Sequence, residues 1–195
     1  MNKNFLVLFA VVSIAACAVL ARPWMQQRQA AQRIEAHRLA ALQLSNKEKQ
    51  RAELSKRRKA SAAEIFNGAT KVEAFRLFSV HRKKPIGKLG RDPYFSKVSV
   101  RDSHFAAHLG AIVLKPKQFS KLCIFEPAVN FRVWKNQQFV DTTICFHCSE
   151  LYVTRSDPKL RNVPVEAGDF DAERPTLLAL TKKAFPNDPN IQSLH

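Results

Sequence analysis

Glycine is scarce in this chain: five residues in 195, standing apart at Gly68, Gly87, Gly90, Gly110 and Gly168. A dinucleotide fingerprint or a phosphate-cradling loop needs glycines clustered between a strand and a helix, so neither can be built here. There is no Gly-x-Ser-x-Gly elbow, and no pair of carboxylates in a pattern with an assignable acid–base role. His104 is not followed by glutamate, which removes the helical metalloprotease signature. Of the four cysteines, one Cys-x-x-Cys can be drawn, Cys145-Phe146-His147-Cys148, whereas zinc knuckles normally come as two such units. Acidic residues are also few, 16 Asp and Glu against 32 Lys and Arg, and the formal net charge is +16. What is missing removes the common nucleotide, hydrolase and protease signatures and leaves no motif that names an activity.

What is present is unevenly spread. Residues 22–60 carry 11 basic and 3 acidic side chains, residues 61–115 carry 10 and 4, and residues 116–195 carry 10 and 9. The basic character therefore belongs to the first half. A nucleic-acid reader places its basic stripe on the folded module, so this distribution argues against nucleic acid as a partner and for a basic stem.

Residues 5–21, FLVLFAVVSIAACAVLA, are apolar throughout. At ~1.5 Å per residue such a helix spans ~26 Å, the short end of what crosses a bilayer. Trp24 suits an interfacial anchor. Three readings stand side by side: a retained signal anchor, a lipoprotein-type signal in which Ile14-Ala15-Ala16-Cys17 resembles a lipobox and Cys17 takes the lipid, and cleavage after Ala21. All three send the chain to or across a membrane. The basic flank at Arg22, Arg28, Arg33 and Arg38 pulls toward a cytoplasmic body. The signal-like start pulls the other way, and export of the body to the extracytoplasmic, periplasmic side is the expectation.

From Pro23 to about Phe66 there is no glycine, and Ala, Gln, Arg, Lys and Glu dominate, which are good helix formers. The apolar positions do not line up into a heptad seam. The stretch 22–66 reads as a basic helical stem, a semi-rigid spacer with a possible electrostatic contact to anionic lipid headgroups, and Asn67-Gly68 stops it.

Residues 67–195 read as a small α+β domain, an antiparallel sheet with a few helices. Residues 71–80 and FSKVSV alternate as strands. Asp102 or Ser103 is placed to cap a short helix that Gly110 ends, GAIVL follows as a strand, and Pro116 opens a brief helix through Phe119 and Leu122. FEPAVNFRVW and FVDTTICF flank the turn KNQQ as a hairpin. ERPTLLALTKKAF puts Leu177, Leu180 and Ala184 on one helical face against the sheet.

Cys123-x-Phe125-x-Pro127, a hairpin, and then Ile144-Cys145-Phe146-x-Cys148 resemble a group of small, functionally uncharacterised bacterial proteins, membrane-anchored or exported, over roughly the last 120 residues. The resemblance brings no activity and implies only that the three-cysteine hairpin recurs.

The register of that hairpin orders the cysteine readings. If Trp134 faces Phe139, Cys123 faces Glu150 and Phe125 faces Cys148, which leaves Cys123 and Cys148 as diagonal neighbours ~7 Å apart on one face. Pro127 can loosen the pairing enough for a disulfide. Cys145 points to the other face and stays a buried thiol. A thioredoxin-like centre needs its first cysteine at a helix amino terminus, and a strand follows here. A metal site, zinc first, would take Cys123, Cys145 and Cys148 with His104 or His108 as the fourth ligand. The expectation is thus a membrane-tethered binding or structural module with a stapled hairpin and no assigned catalytic residue, its protein partner unknown. A cysteine-dependent metal or thiol-redox site is the alternative.

Overall fold

A computed structural model describes residues 3–78, 84–90, 92–120, 123–157 and 161–195, with side chains from Gln27 onward except Ala31 and Arg161. The first element is one long helix, α1 (Lys3–Asn67). Two compact units divide the chain, residues 1–53 and residues 54–195. The first contains only α1. Its described side chains are exposed almost throughout, including Ile34, Leu39, Leu42 and Leu44, in keeping with a sequence that has no one-sided apolar seam. The apolar run 5–21, with Cys17, lies outside the described side chains. Among the described residues no helix is long and apolar enough to cross a membrane.

The second unit is α+β. After the end of α1 come β1 (Lys71–Arg76), a two-stranded ribbon of β2 (Gly87–Leu89) and β3 (Asp92–Tyr94), and β4 (Ser96–Val100). Then follow α2 (Phe105–Val113), β5 (Val129–Lys135), β6 (Gln138–Cys145), β7 (Glu150–Asp157), β8 (Arg161–Asp169), α3 (Arg174–Ala184) and α4 (Pro189–Gln192). Six strands make one antiparallel sheet in the order β4-β1-β5-β6-β7-β8. Alternation decides its two faces. Ala74, Phe131, Val133, Val140, Ile144, Leu151 and Val153 are buried in the main core with Phe105 and Leu109 of α2, Leu177 of α3, and Phe185 and Ile191. Ala62, Ile65 and Phe66 belong to the same core, so the last turns of α1, which composition alone assigned to the stem, are part of this unit.

Other differences from the sequence reading have local causes. Gly110 does not end α2, which continues to Val113, so GAIVL is helix and not strand. The glycine is there for space, because a Cβ at position 110 would lie 2.7 Å from Cβ of Phe66. Residues 115–120 are not helical, and Leu122 lies outside the described residues. β1 stops at Arg76, before the end of the stretch 71–80. The strand β8 holds Pro164 and Gly168, residues more usual in loops. An edge strand tolerates proline where its missing N–H would face outward, and the register shifts between Val153 and Thr154, opposite that stretch.

The β5–β6 hairpin pairs Trp134 with Phe139 and Lys135 with Gln138. Asn136 in its turn takes the left-handed conformation, φ 55°, which asparagine accepts more readily than most residues.

Candidate functional site

β6 ends at Cys145, and residues 146–149 make a tight turn into β7, with Cys145 opposite Glu150. Cys148 therefore sits in a turn, not on the strand the register argument extended through it. Ser149 closes the turn at φ 56°. Arg174 of α3 holds it, donating to the Phe146 carbonyl and, at 2.8 Å, to Ser149 Oγ. Cys123 lies in the extended segment ahead of β5 and is bonded to Cys148, Cα to Cα 6.0 Å. The two meet because a loop crosses a turn, whereas strand pairing alone would leave them ~7 Å apart as diagonal neighbours. Cys145 is a free, fully buried thiol whose Sγ accepts the Cys148 N–H at 3.4 Å.

The other proposed ligands are elsewhere. His104, at the N-cap of α2, and His108 on that helix are exposed, and His147 is exposed on the turn. Asp102 accepts the His104 N–H at 2.9 Å and pairs with Lys183 at 2.7 Å, which holds its carboxyl below the usual range. With the sulfurs of Cys123 and Cys148 bonded to each other, no group of three or more His, Cys, Asp or Glu gathers as a metal site among the described residues. Beside the bridge, Tyr152 stands between Phe119 and Phe125 with ring centres 5.9 and 4.6 Å away.

A polar cluster lies on the sheet face away from the helices, and the sequence reading passed over it. Glu73 (β1), Arg132 (β5) and Asp141 (β6) are register neighbours across three strands. Arg132 grips Asp141 with two hydrogen bonds, Nε to Oδ1 at 2.8 Å and Nη2 to Oδ2 at 2.7 Å, and lies 4.1 Å over the Phe139 ring. Lys71 and Lys97 each approach Glu73 Oε1 at 2.8 Å, and Trp134 Nε1–H donates to Oε2 at 2.9 Å. A signal for it existed: charged residues set among apolar ones in KVEAFR, NFRVW and FVDTT.

Burial acts to raise both carboxyls. At Asp141 it outweighs Arg132, and the pKa stands above the ordinary value. At Glu73 the hydrogen bonds from Lys71, Lys97 and Trp134 win, and the pKa falls from 4.5 to about 2. A depressed folded-state pKa stabilises above the unfolded value, and that stability is lost as pH falls from about 4.5 toward about 2. The raised Asp141 acts in the opposite sense and favours the fold as pH drops. Glu73→Gln is thus expected to be less stable than the native chain at pH 7 and to show a flatter loss between pH 4.5 and 2, read from urea midpoints. An unchanged acid limb would refute this role for Glu73. Every member of the cluster is paired, which suits a structural clamp and leaves no free base or nucleophile.

The third feature is a cleft of about 710 Å³ beside β4, lined by Ser96, Val98, Ser99 and Arg101 on one side and by residues 184–190 on the other. Its floor is a buried ion pair, Arg76 Nε to Asp188 Oδ2 at 2.8 Å. Asp188 also caps α4 by accepting the Asn190 and Ile191 N–H groups at 3.1 and 3.4 Å.

No protein-family model, curated protein or solved structure matches the chain.

Proposed function

We propose that the chain is a membrane-tethered binding or structural module. Its amino-terminal apolar run holds it at the bilayer, residues 22–53 space it from that bilayer, and the α+β domain lies on the extracytoplasmic side. The observation that carries this reading is the Cys123–Cys148 bridge, because such bonds persist in oxidising compartments and are rare in the cytosol. The apolar stretch 5–21 supports the tether, and the exposed basic residues of the stem support contact with anionic headgroups, worth ~1 kcal/mol per cation at the surface.

Cell fractionation tests it. The full chain is expected with membranes and released by detergent, a chain starting at Gln26 is expected soluble, and protease added outside the inner membrane should reach the domain. A full chain found soluble would refute the tether. Vesicle binding by residues 23–66 should weaken as salt rises, and salt-independent binding would leave the stem a spacer only.

A second reading is thiol chemistry, favoured by the third sulfur held beside the bridge at Cys145. Bound zinc in elemental analysis, or a Cys145–Cys148 link in peptide mapping, would move it ahead.

A further inference from the structure

One edge of the sheet is covered and the other is open. At β8, Asp169 N–H donates to the Gln118 carbonyl at 2.9 Å, Arg58 reaches the Pro164 carbonyl at 3.4 Å, and Pro164 has no donor to leave unpaired. At the other edge is β4.

The hydrogen-bond parity shows which of its groups are unused. Leu77 N–H donates to the Ala128 carbonyl at 2.9 Å, one step beyond the last β1–β5 pair and in the same register, which fixes the alternation of that ladder. Lys71, Glu73 and Phe75 therefore turn their backbone groups to β5, and Val72, Ala74 and Arg76 turn theirs to β4. The Arg76 carbonyl agrees, accepting the Phe95 N–H at 2.8 Å. Val98 and Val100, opposite Ala74 and Val72, are then the bonded residues of β4, while Lys97 and Ser99 aim N–H and C=O away from the sheet. Neither has a backbone partner on that side among the described residues.

Natural sheets often blunt such an edge with a lysine. Here Lys97 is drawn off the edge, tied to Glu73 at 2.8 Å with its ammonium 5.4 Å from the centre of the Phe75 ring. A further strand would lie ~4.8 Å out from β4, and the 710 Å³ cleft borders that same strand at Ser96, Val98 and Ser99.

The charge around the edge chooses the occupant. The described residues of the stretch 71–101, which contains β1 and β4, hold six Lys and Arg and two Asp and Glu. Glu73 is neutralised by two lysines, and the cleft's own carboxylate, Asp188, by Arg76. Arg101 lines the cleft, is exposed, and makes no ion pair among the described residues.

We propose that β4 is a docking edge for an acidic, extended peptide segment of a partner protein, which adds to the sheet by pairing with Lys97 and Ser99 and lies against the cleft with its carboxylates toward Arg101. This names a partner for the binding module proposed above and rests on that reading. Main-chain pairing supplies the affinity, and the cationic rim selects the charge.

The test uses the full chain in detergent micelles and fluorescence anisotropy with three synthetic peptides: an alternating Glu/Val strand, the same with Lys for Glu, and the acidic one N-methylated at alternate residues. The acidic peptide is expected to bind, the Lys version to bind about tenfold or more weakly, and the N-methylated one not to bind. Ser99→Pro removes an outward N–H without touching the β1 ladder and should abolish binding. Arg101→Glu should weaken the acidic peptide and strengthen the Lys one. Amide exchange on the unliganded chain should show Ser99 fast and Val98 slow, with Ser99 slowed when the acidic peptide is added.

Equal binding of the Glu and Lys peptides, undiminished binding of the N-methylated one, or no binding at about millimolar peptide overturns the proposal. So does protection of Ser99 that grows with protein concentration alone, since the edge would then pair with a second copy. The N-methylated peptide keeps the test valid if Ser99→Pro does not fold. A chain that fractionates with membranes and ignores the peptides loses this proposal and keeps its tether. A soluble chain that binds them does the reverse.

Discussion

Arg132→Ala is expected to lower the stability of the domain by about 3–5 kcal/mol, the usual result of removing one partner from a buried ion pair. Asp141 is 7% exposed and has Glu73 as a near neighbour, so without the guanidinium it would hold an uncompensated charge or take up a proton. The loss also strips the cation from over the Phe139 ring. Arg132→Lys should recover only part of it, because an ammonium cannot reproduce two parallel hydrogen bonds to one carboxylate. Replacing both partners, Arg132→Leu with Asp141→Leu, is expected to cost less than Arg132→Ala alone. Urea titrations of the three variants beside the native chain decide the matter. A single variant within 1 kcal/mol of the native chain would show the pair to be solvated and dispensable.

Cys123→Ser or Cys148→Ser should cost about 2–4 kcal/mol under oxidising conditions, the chain-entropy value for a closed loop of this size. Cys145→Ser should cost less, about 1–3 kcal/mol, for a hydroxyl placed where a thiol was fully buried. In the presence of reductant the three substitutions should have similar, smaller effects. Non-reducing peptide mapping checks the pairing directly. A bridge that leaves stability unmoved when cut would mean that the loop ahead of β5 is held by other contacts.

The hairpin β5–β6 was legible because both of its strands alternate and a short polar turn joins them, which leaves one register that buries the apolar set. The helix α3 was legible for the same kind of reason at a period of 3.6, with Leu177 and Ala184 buried. Elsewhere tertiary context overrode the local signal. Gly110 looks like a stop, yet its lack of a side chain admits Phe66, a residue more than forty positions earlier that composition placed in the stem. Pro164 and Gly168 look like loop residues, and the edge position of β8 makes them acceptable in a strand. The cysteines were singled out by their spacing, but the geometry used to relate them assumed one strand through Cys148, where the chain turns instead. The charged row on the outer face was available as three isolated charges, and only the strand order shows that they are adjacent.

The core draws on both ends of the second unit, Ala62, Ile65 and Phe66 from α1 and Leu177, Phe185 and Ile191 from the last helices. That arrangement has a consequence for biosynthesis. A nascent chain that has delivered α1 and β1 has nothing to close over Phe66, and β1 must wait for β5 to arrive from beyond α2 before its central ladder can form. The domain is therefore expected to stay open until nearly all of it has been made, the slow behaviour of chains ruled by distant pairings. If the chain is exported as proposed, late closure would be an advantage, because a polypeptide threaded across a membrane in extended form would assemble its fold, and join its sulfurs, only on the far side.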